Sequence, residues 1–350
     1  MTGHGGNVYG LIDETGMVLN EIIDFSASIN PLGMPATVVR AIQEGIPELV
    51  HYPDPFAERV AQRMAEWIDV DGSAVICGNG STELIYLLAR AMRPRRVLIP
   101  QPTFSEYERA CRLQGAEIVS LPLSRDKSFA MEHDAFAAAM AGCEMAFLCN
   151  PNNPTGGLVE RDSVLSLVAE ATRCSCCLVV DEAFIDFVPE QTVVRQAAEN
   201  GNLIVLRSLT KFYALSGLRI GFAVLSPRNA EKLRGHKEPW TVNTLAANAA
   251  AAAIEDRDYQ ARTMQVIAEE RVFLAQEFRS AGIDHLPAAA NYFLIRMDGA
   301  QEVLSRSRRK GILLRDCSNF PGLDTTYLRV AIRSRRENEL LLKELSACAE

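Results

Sequence analysis

The sequence has no excess of positive charge: 36 lysines and arginines stand against 44 acidic residues, giving a net charge of −8 and a pI near 5.4. A nucleic-acid partner needs a basic stripe, so none is expected. No apolar run approaches the ~20 residues that span a bilayer. The Ala-rich stretch 245–254 is short and interrupted by Asn248, so no membrane partner is expected. The opening residues, MTGHGGNVYGLIDETG, carry neither a basic n-region nor an apolar h-region, which makes the cytoplasm the expected compartment. Nine cysteines are an odd count, better read as reduced thiols than as bridges. Cys174, Cys176 and Cys177 form C-x-C-C without a second half, and the five histidines are scattered. Buried small hydrophobes are expected there, and no metal.

What is present is a 350-residue chain that is 48% hydrophobic, enough for one large domain or two. From about Ser73 to Ser226, short runs rich in Val, Ile and Leu alternate with helix-period stretches such as STELIYLLARAM and DSVLSLVAEATRC. Seven runs (AVIC, RRVLIP, AEIVSL, MAFLCN, CLVVDEAF, NLIVLRSL and IGFAVL) predict a large, doubly wound α/β domain on a mostly parallel seven-stranded sheet. Beyond Pro227 the pattern predicts a long helix over 259–281, three strands (NYFLIRM, GILLRD, YLRVAIR) and a closing helix from Arg336. A second, smaller α+β domain fits that tail.

Several segments can carry chemistry. GNGST at 78–82 follows a strand and opens a helix, which makes either a tight turn or a cradle whose N–H groups face a phosphate. Glu83 occupies the place of the third glycine of a dinucleotide fingerprint, and no Gly-Lys-Ser/Thr P-loop is present. NPNNPTG at 150–156 comes straight after a strand, at the carboxyl edge where open α/β sheets place ligands. Its two prolines and glycine leave Asn152 and Asn153 as rigidly presented amides. Asp181 ends the apolar run CLVV and needs a partner, whether a helix end, a cation of the chain or a protonated heteroaromatic nitrogen. Ser208, Lys211 and Arg219 share the segment SLTKFYALSGLR. Ser208 as the acylating hydroxyl of an S-x-x-K enzyme is set aside, because S-D-N and K-T-G are both missing. A phosphate cradle, a rigid amide, a buried carboxylate and a lysine flanked by Ser and Arg together meet the needs of pyridoxal 5'-phosphate.

Through GNGSTE, NPNNPTG, DEAF and SLTKxxxxxGLR the sequence resembles the fold-type I pyridoxal phosphate enzymes. Along its whole length it resembles, within them, the threonine-phosphate decarboxylase family of cobalamin biosynthesis. The motifs are HGGN at 4–7, DFSASINPLG at 24–33, DEAFIDF at 181–187, RSLTKFYALSGLRIG at 207–221, RDCSNFPGLD at 315–324 and LRVAIRS at 328–334. It also resembles the histidinol-phosphate aminotransferases, and these or a related class I/II aminotransferase supply the alternative activity. An aminotransferase-like sensing domain of a transcription regulator would need an amino-terminal DNA-binding module, for which the sequence offers no residues.

The resemblance implies an aminotransferase-like fold with an amino-terminal arm (1–34) joining the small domain, a large cofactor-binding domain (35–235) and a small carboxyl-terminal domain (236–350). It implies Lys211 as the Schiff-base lysine, Asp181 as partner of the pyridine nitrogen and Asn153 as donor to O3′. Gly80, Ser81, Ser208 and Arg219 would hold the cofactor phosphate, and Phe104 would stack on the ring. Tyr52, in HYPDP, would reach the phosphate of the neighbouring subunit, implying a homodimer with shared active sites. Arg329 would bind the carboxylate of a small phosphorylated amino acid, with His4 and Arg315 around its phosphate and Asn30 lining the same pocket. Two positions depart from the pattern of relatives: Ser28 replaces an asparagine of the usual S-A-N-I-N run, and Phe184 stands where aminotransferases carry a tyrosine. The second departure agrees with decarboxylation.

Overall fold

A computed structural model describes residues 3–346. After the short arm strand β1 (Ile23–Asp24), seven strands build the main sheet: β2 (Val75–Gly78), β3 (Arg96–Gln101), β4 (Glu117–Pro122), β5 (Met145–Cys149), β6 (Cys177–Glu182), β7 (Leu203–Ser208) and β8 (Gly221–Leu225). Their order is β2-β8-β7-β6-β5-β3-β4, and only β8 runs antiparallel to its neighbours. All seven are strands that the sequence pattern predicts. Central strands that are apolar throughout must be covered on both faces. Alternate residues do divide that way: Cys77, Leu98, Ala146, Leu148, Val180 and Val205 enter one core cluster, while Ile76, Val97, Ile99, Phe147, Val179 and Ile204 enter the other.

Because β7 and β8 are antiparallel neighbours with Ser208 opposite Gly221, the connection between them turns over one edge of the sheet and carries Lys211. Strands β3, β5, β6 and β7 present their carboxyl ends at that edge, so Phe104, Asn153, Asp181 and Ser208 converge there from four separate chain segments.

The carboxyl-terminal part holds the helix Arg257–Ser280, within two residues of the predicted span, and the antiparallel sheet β12-β13-β10-β9. Its strands are β9 (Asp284–His285), β10 (Tyr292–Arg296), β12 (Arg315–Asp316) and β13 (Tyr327–Ala331). The expected single strand GILLRD is two. Ile312–Leu313 forms β11 and pairs in parallel with β1, whereas Arg315–Asp316 pairs with β13. The split follows from the arm, since Ile23 and Phe25 N–H groups donate to the carbonyls of Gly311 and Leu313 at 2.8 Å and so occupy that stretch of backbone. Among the described residues no helix is long and apolar enough to cross a membrane, and no group of three metal-ligating side chains occurs. The eight described cysteines are free thiols, mostly buried.

Candidate active site

A cavity of about 420 Å³ opens at this edge. At its floor, Asp181 is 3% exposed. Its Oδ2 accepts from the Tyr107 hydroxyl at 2.6 Å and its Oδ1 from the Ala183 N–H at 3.0 Å. Burial pushes the carboxyl pKa up, against those two bonds and the Lys211 charge. Tyr107 is held in turn by stacking on Phe147, with ring centroids 4.7 Å apart.

Lys211 faces Asp181 across the cavity and has no carboxylate at ion-pair distance among the described residues. Desolvation, reinforced by Arg219 and Arg329, pulls its ammonium pKa down to about 8. A lysine in that state is a ready nucleophile towards a carbonyl.

The cradle is built by close approach. Gly80 takes φ +77° at the start of the helix Gly80–Met92, and a Cβ there would stand 2.6 Å from Arg219 Nη2. Gly221 is equally confined, since its Cβ would meet Ser81 N and Arg207 O at 2.7 Å. Arg219 itself adopts φ +61°, a strained choice for a side-chain residue, and its Nη1 donates to Ser216 O at 3.2 Å. Ser81, Thr82, Ser208 and Arg219 thus line one end of the cavity.

Asn153 and Asn152 part company. Asn152 spends its amide inside the turn, donating to Pro102 O at 3.0 Å and accepting from Thr103 Oγ1 at 2.7 Å. Asn153 lines the cavity, with its Oδ1 accepting from Arg329 Nη1, which leaves its Nδ2 as the group available to donate.

At the opposite end, Arg315 on β12 and Arg329 on β13 occupy directly facing positions. Both are 7% exposed. Arg315 stacks on Phe320 at 5.0 Å and donates to Asn319 Oδ1 at 2.9 Å and to Asp316 O. Arg329 Nη2 donates to Ser26 O at 2.7 Å, while its Nε is buried without a partner. Neither has a carboxylate partner among the described residues. His4 and Phe104 close this side, with ring centroids 5.6 Å apart. Ser28 Oγ, in the wall, is also buried without a partner.

Two expected residues lie elsewhere. Asn30 is a correction: it does not line the cavity. Its Nδ2 donates to Phe212 O and Thr263 Oγ1, both at 2.7 Å, and its Oδ1 accepts from Leu32 N–H, so both amide donors are spent inside the protein. Its contribution is structural, because its N–H donates to the Lys211 carbonyl at 3.1 Å. Tyr52 is 84% exposed, away from the cavity, with its ring 5.4 Å from that of Trp240.

Tyr107 and Glu106, both in the wall, went unsuspected in the sequence. Their one local signal is position: they follow Phe104 at the first turn of the helix Glu106–Arg112.

The residues fit pyridoxal 5'-phosphate on three observations. The Gly80 cradle leaves no room for a Cβ; among the described residues Asp181 is buried with two neutral donors and no cation at contact distance, and Lys211 has no ion-pair partner and is easily deprotonated.

Known proteins match nearly the whole length of the chain. The family model for aminotransferase class I and II matches residues 20–345. The chain is 38% identical to a threonine-phosphate decarboxylase of Salmonella typhimurium over 98% of this chain and 95% of that one. It is 32% identical to a histidinol-phosphate aminotransferase of Moorella thermoacetica over 93% and 85%. The crystal structure of L-threonine-O-3-phosphate decarboxylase from Porphyromonas gingivalis superimposes with a TM-score of 0.82 at 29% identity, covering 93% of this chain and 98% of the other.

Proposed function

The chain belongs to the class I and II aminotransferase family, and from that premise we propose that it decarboxylates L-threonine O-3-phosphate to (R)-1-aminopropan-2-yl phosphate and carbon dioxide, with pyridoxal 5'-phosphate as cofactor. The product would enter the aminopropanol arm of cobalamin biosynthesis, in the cytoplasm. One observation carries the substrate class: Arg315 and Arg329 face each other across a strand pair with no carboxylate between them. Like charges directly opposite are destabilising. A ligand carrying both a phosphate and a carboxylate removes that cost, and the cofactor phosphate is already provided for at the Gly80 and Arg219 end.

Bound in the cavity, pyridoxal phosphate supplies a conjugated ring that accepts the electron pair released when a bond at the substrate Cα breaks. Lys211 would anchor it, and Asp181, oriented by Tyr107, would keep a proton on the ring nitrogen. Ser81, Ser208 and Arg219 would hold its phosphate, Asn153 would donate to it through Nδ2, and Phe104 would lie beside its ring. Phe184 lines the cavity and brings no hydroxyl to it. Arg315 and His4 hold the substrate phosphate, which keeps the Cβ–O bond from reaching the orientation in which phosphate would be eliminated. Arg329 steers the carboxylate through a guanidinium whose two terminal nitrogens already carry protein acceptors. That is a loose hold on the group to be lost. Lys211 or a water then returns a proton to Cα.

The enzyme works as a homodimer in this reading, with Tyr52 of one protomer reaching the cofactor phosphate held by the other. Its exposure and that of Leu49, Val50 and Trp240 nearby support such a contact.

Direct substrate competition tests the assignment. Threonine phosphate alone should yield aminopropanol phosphate by mass spectrometry. Glutamate formed from histidinol phosphate and 2-oxoglutarate, with no turnover of threonine phosphate, would replace it by the aminotransferase reading.

A further inference from the structure

Apart from Asp181, the cavity wall contains one other carboxylate, Glu106. A second negative charge is out of place in a chamber that receives two phosphates, unless its charge is committed to neighbours. Glu106 is 6% exposed and its oxygens are fully engaged. Oε1 accepts from His4 Nε2 at 2.8 Å and Oε2 from the Tyr86 hydroxyl at 2.5 Å, with Arg109 Nη1 at 3.7 Å. The bond to His4 joins residues 102 positions apart and leaves Nδ1 as the imidazole nitrogen available to a ligand.

His4 sits on a close-fitting strap. A Cβ on Gly3 would stand 2.3 Å from Asn319 Nδ2, and one on Gly5 would stand 2.1 Å from Ser26 O. Gly6 N–H donates to Ser26 Oγ at 2.7 Å. The other end of the strap reaches Arg315 through a single residue, because Asn319 donates to Gly3 O at 3.3 Å and accepts from Arg315 at 2.9 Å.

We propose that Glu106 is a positioning residue that fixes His4, and with it the strap at residues 3–6, beside Arg315 so that imidazole and guanidinium meet the substrate phosphate together. The inference rests on the phosphorylated amino acid proposed above. Glu106 has each of its oxygens already bonded within the protein, one to His4 and one to Tyr86. It acts by holding the ring orientation and by supplying the anion that makes the His4 bond charge-assisted.

The test is a double-mutant cycle with two further readouts that need no turnover. Glu106→Gln is near-isosteric and should raise KM for threonine phosphate about tenfold, the scale of one charge-assisted hydrogen bond at a partly exposed site, while kcat changes less than about twofold. In a His4→Ala background the same substitution should add nothing to KM. Binding of inorganic phosphate, titrated calorimetrically on the cofactor-loaded protein, should weaken in parallel. Hydrogen exchange of the amino-terminal peptide should accelerate in Glu106→Gln without any ligand. Effects of the two substitutions that multiply, or a strap whose exchange matches wild type, would overturn the proposal. If threonine phosphate is not turned over at all, the phosphate titration and the exchange rate still decide it, so failure of the substrate assignment is told apart from failure of this role.

Discussion

At the scale of single residues, the site depends on Lys211 and Asp181, whose ionisation the fold has displaced. Burial destabilises the charged form of Lys211, so its pKa of about 8 lies below the ordinary lysine value. A buried cation with a lowered pKa costs stability below about pH 8, and that cost disappears as the pH rises towards the unfolded-state value of ~10.4. Lys211→Met should therefore raise the denaturation midpoint of the cofactor-free protein at pH 7, with the difference fading by about pH 10. A midpoint difference that grows with pH would contradict the displacement. In the loaded enzyme, borohydride reduction should fix the cofactor to Lys211, and no fixed cofactor should remain in Lys211→Ala. Tyr107→Phe leaves Asp181 Oδ2 buried without a donor and is expected to cost about 1–3 kcal/mol, read from urea unfolding. Asp181 and Asn153 stand out in the sequence because one ends an apolar strand and the other sits among the prolines of a turn, and Lys211 stands out because it shares one inter-strand segment with Ser208 and Arg219. Glu106 and Tyr107 do not, because their partners, His4 and Asp181, are 102 and 74 positions away. Asn30 was misread for the complementary reason: a motif position shows that a residue is needed without showing whether a ligand or the Lys211 loop needs it.

The cradle is the element on which the phosphate site turns. It works by the approach of a helix start to the β8 edge, which a side chain at Gly80 would block. Gly80→Ala forces a Cβ into both a left-handed backbone and Arg219, so the variant should fold yet retain pyridoxal phosphate at least about tenfold less tightly, measured by cofactor release on dilution. Retention equal to wild type would show that the phosphate sits elsewhere. Strands at this scale were largely readable, since parallel strands buried on both faces are continuous Val, Ile and Leu runs. The break in GILLRD was not readable, because its cause is the distant arm strand β1. That break has a functional consequence. By ending the pairing with β1 at Leu313, it frees Arg315 to pair opposite Arg329.

On the scale of the whole molecule, residues 3–6, the strands of the main sheet and the carboxyl-terminal sheet all reach one cavity, while Tyr52 faces away from it. The proposed shared site requires a second protomer. Sedimentation should show a dimer, and Val50→Asp, placed on the exposed apolar face beside Tyr52, should yield monomers that also lose cofactor retention. A monomeric wild type retaining its cofactor would remove Tyr52 from the site. Which bond at Cα is broken is read from the fate of the substrate carboxyl carbon. Threonine phosphate labelled with carbon-13 at the carboxyl group, incubated with the loaded enzyme and no oxo acid, should release all of its label as carbon dioxide, one per aminopropanol phosphate formed. Label that stays on an organic acid, appearing only when an oxo acid is added, would contradict it.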